Sequence, residues 1–449
     1  MDVPVVRSRV DAARVRSVLD AARVLSLDSG MAPRRPSPAG ASRRPVLHAV
    51  LGALAAAVAP PTVARPGATR GPAVQIGLPP DAVAPTLRAV AAQVATLLAR
   101  LPDAERMPRT IERGTLVRVA REDWTSGFFP GLLWLLHEAT GEPAWRDAAR
   151  RFTRTLEPLR HFRDHHDTGF MLGCSYGNAL RLAEAPGDRA VLVDGARALA
   201  TRFDPRVGLI RSWDHGRWAY PVIIDNLMNL ELLTWASRES GDPGLLGIAV
   251  RHADGTLAHH CRPDGGSFHL VDFDPASGAV RARGTVQGAA DRSTWARGQA
   301  WGLYGFTAMY RETRHARYLQ QAERMARFVI DHPRLPVDRV PFWDYDAPGV
   351  PLAPRDASAA AITASALLEL ASLTADAALA ARARALAAAQ LATLSSPAYF
   401  AAPGENGGFV LRHSVGALPH GAEIDVPLVY ADYYFVEAML RLGRGVRRG

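Results

Sequence analysis

The sequence of 449 residues predicts an all-α fold, an (α/α)6 barrel in which six helical hairpins close into a toroid. Three observations lead to this prediction. Helical periodicity dominates from Asp81 onward, and strand signals are sparse. Five joints repeat one pattern, in which a long apolar helix ends in a short polar turn and an Ala/Arg-rich helix follows. With a helix from Asp81 and a closing helix around Tyr430 to Leu440, the joints give about six hairpins.

The joints are spaced as an imperfect repeat. Successive turns lie roughly 46 to 73 residues apart, as in an imperfect repeat of helical hairpins. They begin at His137, Arg181, Ser237, Arg311 and Ser372. Three turns contain a helix break or cap: Gly141 with Pro143, Gly187 with Asp188, and Gly241 with Pro243. An open solenoid is the alternative, but the longer Gly- and Asp-rich insertion from Asp264 to Asp291 favours a barrel with elaborated loops at one mouth.

The first 75 residues or so differ from the rest, and we expect a leader over residues 1–75 and one catalytic barrel over residues 76–449. After Met31, an Arg-bearing region precedes an apolar run from Val46 to Ala59 and small residues from Thr62 to Ala68. This order is typical of an export signal, and the run is short for a membrane span. The protein is then periplasmic or secreted. The alternatives are a disordered leader, or a mis-called start and a cytoplasmic protein.

The net charge of +9 does not indicate a nucleic-acid partner, because most of it lies in the leader. Residues 1–75 contain eleven Arg and four Asp, a charge of +7, so the remainder carries only +2. All 53 basic residues are Arg. The two cysteines, Cys174 and Cys261, provide no disulfide framework, although they could pair in a periplasm. We expect neither a metal nor a cofactor.

The most informative segment is GTVQGAADRSTWARGQAWGLYGF, from Gly284 to Phe306. It mixes Trp, Arg and Gln at helical spacing where an ordinary core helix uses Leu, Val and Ala. Indole rings stack on sugar C–H faces, amides bind hydroxyls, and Arg binds a carboxylate in a bidentate fork. The segment therefore suits a flat, hydroxylated and anionic ligand. The alternative is an amphipathic helix with chance tryptophans.

Two aspartates are candidates for chemistry. Asp225, in YPVIIDNLMNLELL, opens an apolar helix, so it is either a buried proton donor or an N-cap. Burial raises its pKa and the helix dipole lowers it. Asp167, in HHDTGF, is a second candidate carboxylate, with a cap or a metal ligand as alternatives. No second His/Asp cluster has metal spacing, so we favour a site without metal.

Further aromatic and polar residues point to a carbohydrate cleft. Trp124 lies in DWTSGFFPG, Trp213 lies beside Asp214, and His269 lies in GGSFHLVDFD. Each one alone is more often core or surface filler. The sequence contains no phosphate-binding loop, nucleophile elbow or nucleotide fingerprint.

From about Trp124 to Glu437, the chain resembles the unsaturated glucuronyl hydrolases, glycoside hydrolase family 88. The order of the motifs carries the resemblance: DWTSGFFPG, HHDTGF, VIIDNLMNLELL, GGSFHLVDFDPASG, the Gly284 segment and VPLVYADYYFVEAML. The family fold is the (α/α)6 barrel. The resemblance implies that the substrate is an oligosaccharide, such as an unsaturated disaccharide, with a 4,5-unsaturated uronic acid at its non-reducing end. Protonation at C4 and addition of water at C5 release that sugar.

The resemblance also implies residue roles. Asp225 corresponds to the general acid/base and Asp167 to the second essential carboxylate. The implied substrate-binding set is Trp124, Trp213, His269, Thr285, Gln287, Trp295, Arg297 and Trp301, with Arg297 as the partner of the uronate carboxylate. The loop from His413 to Asp425 is expected at the mouth, and its lack of Lys disfavours sulfate binding there.

Three rival interpretations remain open at this point. The first is an unsaturated rhamnogalacturonyl hydrolase, with the same barrel and pectin fragments as substrate. The second is a non-catalytic sugar-binding toroid, which the presence of both aspartates disfavours. The third is an isomerase or epimerase on a similar toroid. We expect a monomer or weak dimer with no membrane span in the mature protein.

Overall fold

The computed structural model describes residues 77–446, so the predicted leader lies outside the described residues. The α-helices of this part are α1 Val83–Ala99, α2 Phe128–Thr140, α3 Pro143–Arg154, α4 Asn178–Ala183, α5 Asp188–Ala200, α6 Leu230–Ser240, α7 Pro243–His259, α8 Ala296–Thr313, α9 Ala316–Asp331, α10 Ala357–Leu373, α11 Ala377–Leu394 and α12 Val429–Val446. A π-helix, Gly169–Gly177, runs directly into α4, and a 3-10 helix, Ile224–Asn229, runs directly into α6. Shorter 3-10 turns are Pro80–Ala82, Glu157–His161, Asn406–Gly408 and Leu418–His420.

Six helices form a closed inner ring. In order around the ring they are α2, the π-helix with α4, the 3-10 helix with α6, α8, α10 and α12, and α12 packs back against α2. These helices are buried on nearly all sides: α8 is buried from Ala296 to Met309 and α10 from Ala357 to Leu367. A helix that is apolar all round belongs in a core. The ring confirms the predicted (α/α)6 barrel.

Each inner helix pairs with an amphipathic outer helix. The outer helices are α1, α3, α5, α7, α9 and α11, and α3 and α9 alternate buried and exposed residues most clearly. The turns from inner to outer helix are the predicted joints. Gly141 and Gly241 end their helices in the left-handed conformation, with φ of 73° and 72°. Glycine adopts this conformation without a Cβ penalty, which explains why these turns were readable in the sequence.

The inner helices run in one direction around the ring. Side chains at the starts of three of them are in contact: the Phe128 ring lies 5.3 Å from that of Phe170 and 5.8 Å from that of Tyr430. Side chains at the ends meet as well, because Arg441 of α12 lies 3.0 Å from Glu369 of α10. One mouth of the barrel therefore collects six helix N-termini, and the other collects six C-termini.

The short strands lie in the long connections that enter the inner helices. Antiparallel hairpins are formed by β1 (Met107–Glu112) with β2 (Thr115–Val119), β3 (Phe203–Asp204) with β4 (Leu209–Ile210), and β8 (Ser414–Ala417) with β9 (Ala422–Val426). A three-stranded antiparallel sheet has the order β5 (Pro221–Ile223), β6 (Leu270–Phe273), β7 (Val280–Gly284). Strands β6 and β7 lie within the Asp264–Asp291 insertion, as expected for loops elaborated at one mouth.

The opposite mouth encloses a cavity of about 500 Å³ among the ends of α2, α4, α6 and α12, with Gly173 of the π-helix in its wall. On the outside of the barrel, the segment Pro80–Ala99 is long and apolar enough to cross a membrane by length and composition. In the barrel it contains the outer helix α1, and Val90, Val94 and Leu97 are fully buried. Cys174 and Cys261 are both free.

Candidate active site

Asp225 is a buried acid at the entrance to the 3-10 helix. Strand β5 carries it into the barrel mouth, where it is 7% exposed. It is not an N-cap: no helix N–H bonds to its side chain, and its Oδ2 has no hydrogen-bond partner. Its pKa is raised from 3.8 to about 7, chiefly by burial, with the charge of Arg297 opposing and that of Asp167 adding to the rise. Asp225 can thus hold a proton at neutral pH.

His269 is a polar neighbour of that acid. Its Nε2 lies 4.0 Å from Oδ2 of Asp225, and it comes from the start of the adjacent strand β6. Its Nδ1 faces the backbone N–H groups of Val286 (3.3 Å) and Gln287 (3.4 Å), which can only donate. The imidazole proton therefore sits on Nε2. Burial lowers the pKa of His269 to about 3, so the ring is a neutral donor directed toward Asp225.

Asp167 lies in the turn before the π-helix, between two histidines. Its Oδ2 is 3.1 Å from Nδ1 of His165, and its Oδ1 is 3.5 Å from Nε2 of His166. Burial alone raises the pKa of Asp167, but the neighbouring His166 and His165 outweigh burial and lower it below 3.8. One carboxylate of the site is therefore ionised while the other keeps its proton, an arrangement typical of acid/base sites.

Arg297 lies in the first turn of α8 and is 1% exposed. It donates to Asp356 (3.2 Å) and to the carbonyl oxygens of Val415 and Gly416, and its Nε has no partner. Its guanidinium carbon lies 4.4 Å from the ring centre of Trp295. Most of its donors are thus occupied by the protein, and its binding of a uronate remains a prediction.

The predicted aromatic residues occupy the same mouth at different depths. Trp301 is fully buried, and its ring lies 5.0 Å from that of Phe170. Trp124 is half-buried and lies 5.6 Å from the other side of Phe170. Trp295 packs on His269 at 4.6 Å. Trp213 pairs through its backbone with His165, which places it beside the Asp167 turn. The structure therefore brings all four tryptophans to the mouth that holds the two aspartates.

Thr285 and Gln287 lie in the loop before α8, and both are half-buried. The Thr285 hydroxyl is 3.0 Å from Nδ1 of His269, and Gln287 Nε2 donates to the Gly416 carbonyl at 3.2 Å. Gln287 and Arg297 thus bind the same carbonyl of the β8–β9 hairpin. The hairpin forms most of the predicted His413–Asp425 mouth loop.

Several residues of the site were missed in the sequence. Asp356 binds Arg297 and lies about sixty residues further along the chain. Arg109, from the β1–β2 hairpin, binds Glu423 (2.6 Å) and Asp123 (2.8 Å) and lies 5.9 Å from the Trp124 ring. No local motif marks Asp356 or Glu423, because each lies far along the chain from the arginine that it binds. His166 was visible in HHDTGF, but the sequence offered nothing to separate it from His165.

Comparisons with known proteins identify the family of the chain. No family model matches the chain. An unsaturated glucuronyl hydrolase of Formosa agariphila is 45% identical over 345 residues, which are 75% of this chain and 85% of the relative. An unsaturated chondroitin disaccharide hydrolase of Streptococcus pyogenes serotype M1 is 32% identical over 338 residues, covering 71% of this chain and 81% of the relative.

A solved structure shows the same fold. The crystal structure of an unsaturated glucuronyl hydrolase specific for heparin matches with a TM-score of 0.80 and 43% identity, covering 83% of this chain and 99% of its own. Identity at this level over most of both chains reaches well beyond a shared fold. The chain belongs to the unsaturated glucuronyl hydrolases, a family of glycoside hydrolases.

Proposed function

We propose that this enzyme removes a 4,5-unsaturated uronic acid from the non-reducing end of lyase-generated oligosaccharides, with Asp225 as the acid and base. One observation carries the proposal: a buried, unpartnered carboxyl with a pKa of about 7 lies in a mouth lined by His, Arg and Trp. General acids act best when their pKa lies near the working pH.

The reaction needs a single group that gives and then takes a proton. Protonated Asp225 donates its proton to C4 of the double bond, which leaves an oxocarbenium-like centre at C5. The Asp225 carboxylate then accepts a proton from water as the water oxygen bonds to C5. The hemiketal opens to a ketone at C5, and the C1 hemiacetal expels the leaving sugar. Because no nucleophile attacks C1, the carboxylate separation that predicts retention or inversion does not apply.

The other site residues support this step by charge and contact. Ionised Asp167 helps to keep the proton on Asp225 and stabilises positive charge that develops on the ring. His269 presents Nε2–H beside Asp225, where it can bind a substrate oxygen. The half-buried Trp124 and the amide of Gln287 supply stacking and hydrogen bonding at the entrance.

We further propose that the substrates derive from glycosaminoglycans rather than from pectin. Similar proteins carry names that refer to heparin and to chondroitin disaccharides. The test is a panel of unsaturated disaccharides from heparin, chondroitin and pectin lyases, followed by loss of the ultraviolet absorbance of the conjugated double bond. We expect the highest kcat/KM on a glycosaminoglycan disaccharide. Faster turnover of the pectin fragments would contradict the proposal.

A labelling experiment tests the chemistry separately. In water enriched in ¹⁸O, hydration places one labelled oxygen at C5 of the released uronic acid, whereas attack at the anomeric carbon places it at C1. Mass spectrometry of fragment ions distinguishes the two positions. Label at C1 alone would refute hydration of the double bond.

We propose export for the full chain, on the strength of the leader from Met31 to Ala68. We also propose a monomer or weak dimer for the mature enzyme. Fusion of residues 31–75 to a reporter that is active only after export tests the leader. An inactive reporter would favour the mis-called start. Light scattering of the purified barrel gives its oligomeric state.

A further inference from the structure

The two histidines beside Asp167 differ in their surroundings. His165 is partly exposed, and its Nε2 lies 2.9 Å from the Glu122 carbonyl. Its Nδ1 lies 3.1 Å from Asp167 Oδ2 and 3.2 Å from the backbone N–H of Asp167. Burial lowers the pKa of His165, but the Asp167 carboxylate and the Glu122 carbonyl outweigh burial and raise it. His166 is 2% exposed, and burial lowers its pKa to about 4. His166 is therefore neutral, and only one of its nitrogens can carry a proton.

A chain of hydrogen bonds decides which nitrogen that is. The backbone N–H of Phe170 donates to Oδ1 of Asn229 at 3.0 Å, and this N–H cannot accept. The amide of Asn229 is thereby fixed with its Nδ2 toward His166, where it lies 3.4 Å from Nδ1. Nδ2 can only donate, so Nδ1 of His166 must be the acceptor. The proton of His166 then sits on Nε2, 3.5 Å from Oδ1 of Asp167.

The contact between Asn229 and His166 joins the two segments that carry the candidate carboxylates. Asn229 is the last residue of the 3-10 helix that contains Asp225, and His166 directly precedes Asp167. The segments touch at Gly169, where a Cβ would lie 2.5 Å from Cα of Asn229 and 2.7 Å from its Oδ1. Glycine at this position permits the close approach that the hydrogen bonds require.

We infer that Asn229 and His166 form a positioning relay, in which Asn229 fixes the Nε2–H form of His166 and that group holds the Asp167 carboxylate in place relative to Asp225. His166 is a positioning residue and touches no substrate in this account. A histidine that is oriented by a second hydrogen bond commonly serves this purpose. The inference rests on the proposed role of Asp167.

The sharpest test compares His166→Gln with His166→Asn. Gln can place a donor near the former Nε2 position, whereas the shorter Asn reaches only the Nδ1 position. We expect His166→Gln to retain at least a third of the wild-type kcat and His166→Asn to lose tenfold or more. KM should stay within about threefold in both, because the relay acts on the transition state rather than on binding. Equal losses in the two variants would overturn the relay.

A double-mutant cycle tests whether His166 acts through Asp167. In the Asp167→Asn background, His166→Asn should lower the residual kcat by less than twofold, because the group that it positions has been changed. A full tenfold further loss would mean that His166 acts independently, and the relay would be wrong. Wild-type kcat in Asp167→Asn alone would instead refute the proposed role of Asp167.

His252 provides a matched control for the loss of a buried histidine. It is fully buried on the outer helix α7, and its Nδ1 accepts from the backbone N–H of Ile210 at 2.9 Å. His252→Asn should lower the unfolding temperature and leave kcat within twofold at temperatures well below unfolding. If His252→Asn loses as much kcat as His166→Asn, the effect is general loosening of the fold and the relay is rejected.

Discussion

At the scale of single residues, the site depends on a carboxyl group, Asp225, whose surroundings disfavour its negative charge. Asp225 has no hydrogen bond at Oδ2, and burial favours its neutral form. Asp167 differs because two histidines stabilise its negative charge. The sequence identified both carboxylates, but it could not show which of burial and the helix dipole prevails at Asp225. The answer depends on His269, Arg297 and Asp167, which lie far from Asp225 in the chain.

The raised pKa of Asp225 predicts the alkaline limb of the pH profile. The reaction needs the protonated acid, so kcat/KM should fall about tenfold per pH unit above pH 7. Initial rates on one unsaturated disaccharide between pH 5 and pH 9 provide the check. A profile that stays flat up to pH 9 would be inconsistent with Asp225 as the proton donor.

The raised pKa of Asp225 also predicts that this aspartate lowers the stability of the folded protein above neutral pH. Between pH 3.8 and about 7 the folded protein binds the Asp225 proton and the unfolded chain does not, so this group's contribution to stability is lost as pH rises through that window. Asp225→Asn should therefore be more stable than wild type at pH 8, by about 1–3 kcal/mol, and similar at pH 4.

Asp167→Asn serves as the control with the opposite sign, because the pKa of Asp167 is lowered. Its ionised form contributes stability at pH 8, and that contribution is lost only as pH falls through the folded pKa. Denaturant unfolding at both pH values measures the differences. Destabilisation of Asp225→Asn at pH 8 would contradict the assigned pKa.

At the scale of elements, the site is built where connections enter the inner helices. The Gly284–Phe306 segment was recognised as unusual, but α8 begins only at Ala296. The preceding loop is held by Asp344, which accepts from Ala289 N–H (2.8 Å) and the Ser293 hydroxyl (2.7 Å). Asp344 lies about fifty residues further along the chain, so periodicity within the segment could not locate the helix start.

The packing of α2 against the π-helix leads to a prediction about stability. A Cβ on Gly131 would lie 2.7 Å from the Cys174 carbonyl oxygen, whereas a Cβ on Gly173 meets nothing within 4 Å because it faces the cavity. We expect Gly131→Ala to destabilise the protein by about 1–3 kcal/mol. Gly173→Ala should be neutral or stabilising by up to about 1 kcal/mol, since Ala is the better helix former. Thermal unfolding of both variants measures the difference. Equal losses of stability would contradict the close packing at Gly131.

At the scale of the whole molecule, the toroid was predictable because its turns contain local signals. Glycines and prolines marked the joints at the C-terminal mouth, and the apolar inner helices were readable from composition. Closure of the ring was inferred only from the number of hairpins. The contacts that close it, such as that between the rings of Phe128 and Tyr433 at 5.5 Å, join residues about 300 positions apart.

Ion pairs at the C-terminal mouth connect the inner ring. Arg441 of α12 bonds to the Ser365 carbonyl (2.8 Å) and the Tyr304 hydroxyl (2.9 Å), and pairs with Glu369 (3.0 Å). Arg441→Met removes one of the two arginine partners of the half-buried Glu369, which keeps Arg311, and should cost about 1–3 kcal/mol. The more exposed Arg444→Met, on the same helix, should cost less than about 1 kcal/mol.

Both arginine variants should keep wild-type kcat at temperatures where they are folded, because the catalytic mouth is at the other end of the barrel. Calorimetry and initial rates on the same samples separate stability from activity. A large loss of kcat in folded Arg441→Met would show that the two mouths are coupled.

The central claim is that Asp225 supplies the proton. The most direct measurement is the decay of the double-bond absorbance with wild type and Asp225→Asn on one unsaturated disaccharide. Asp432→Asn is the matched control, since Asp432 is also a buried acid with a pKa near 7 but accepts from the Val410 and Leu411 N–H groups. We expect a loss of about 10²–10⁴-fold in kcat for folded Asp225→Asn and little loss for Asp432→Asn. Decay at the wild-type rate with Asp225→Asn would contradict the claim.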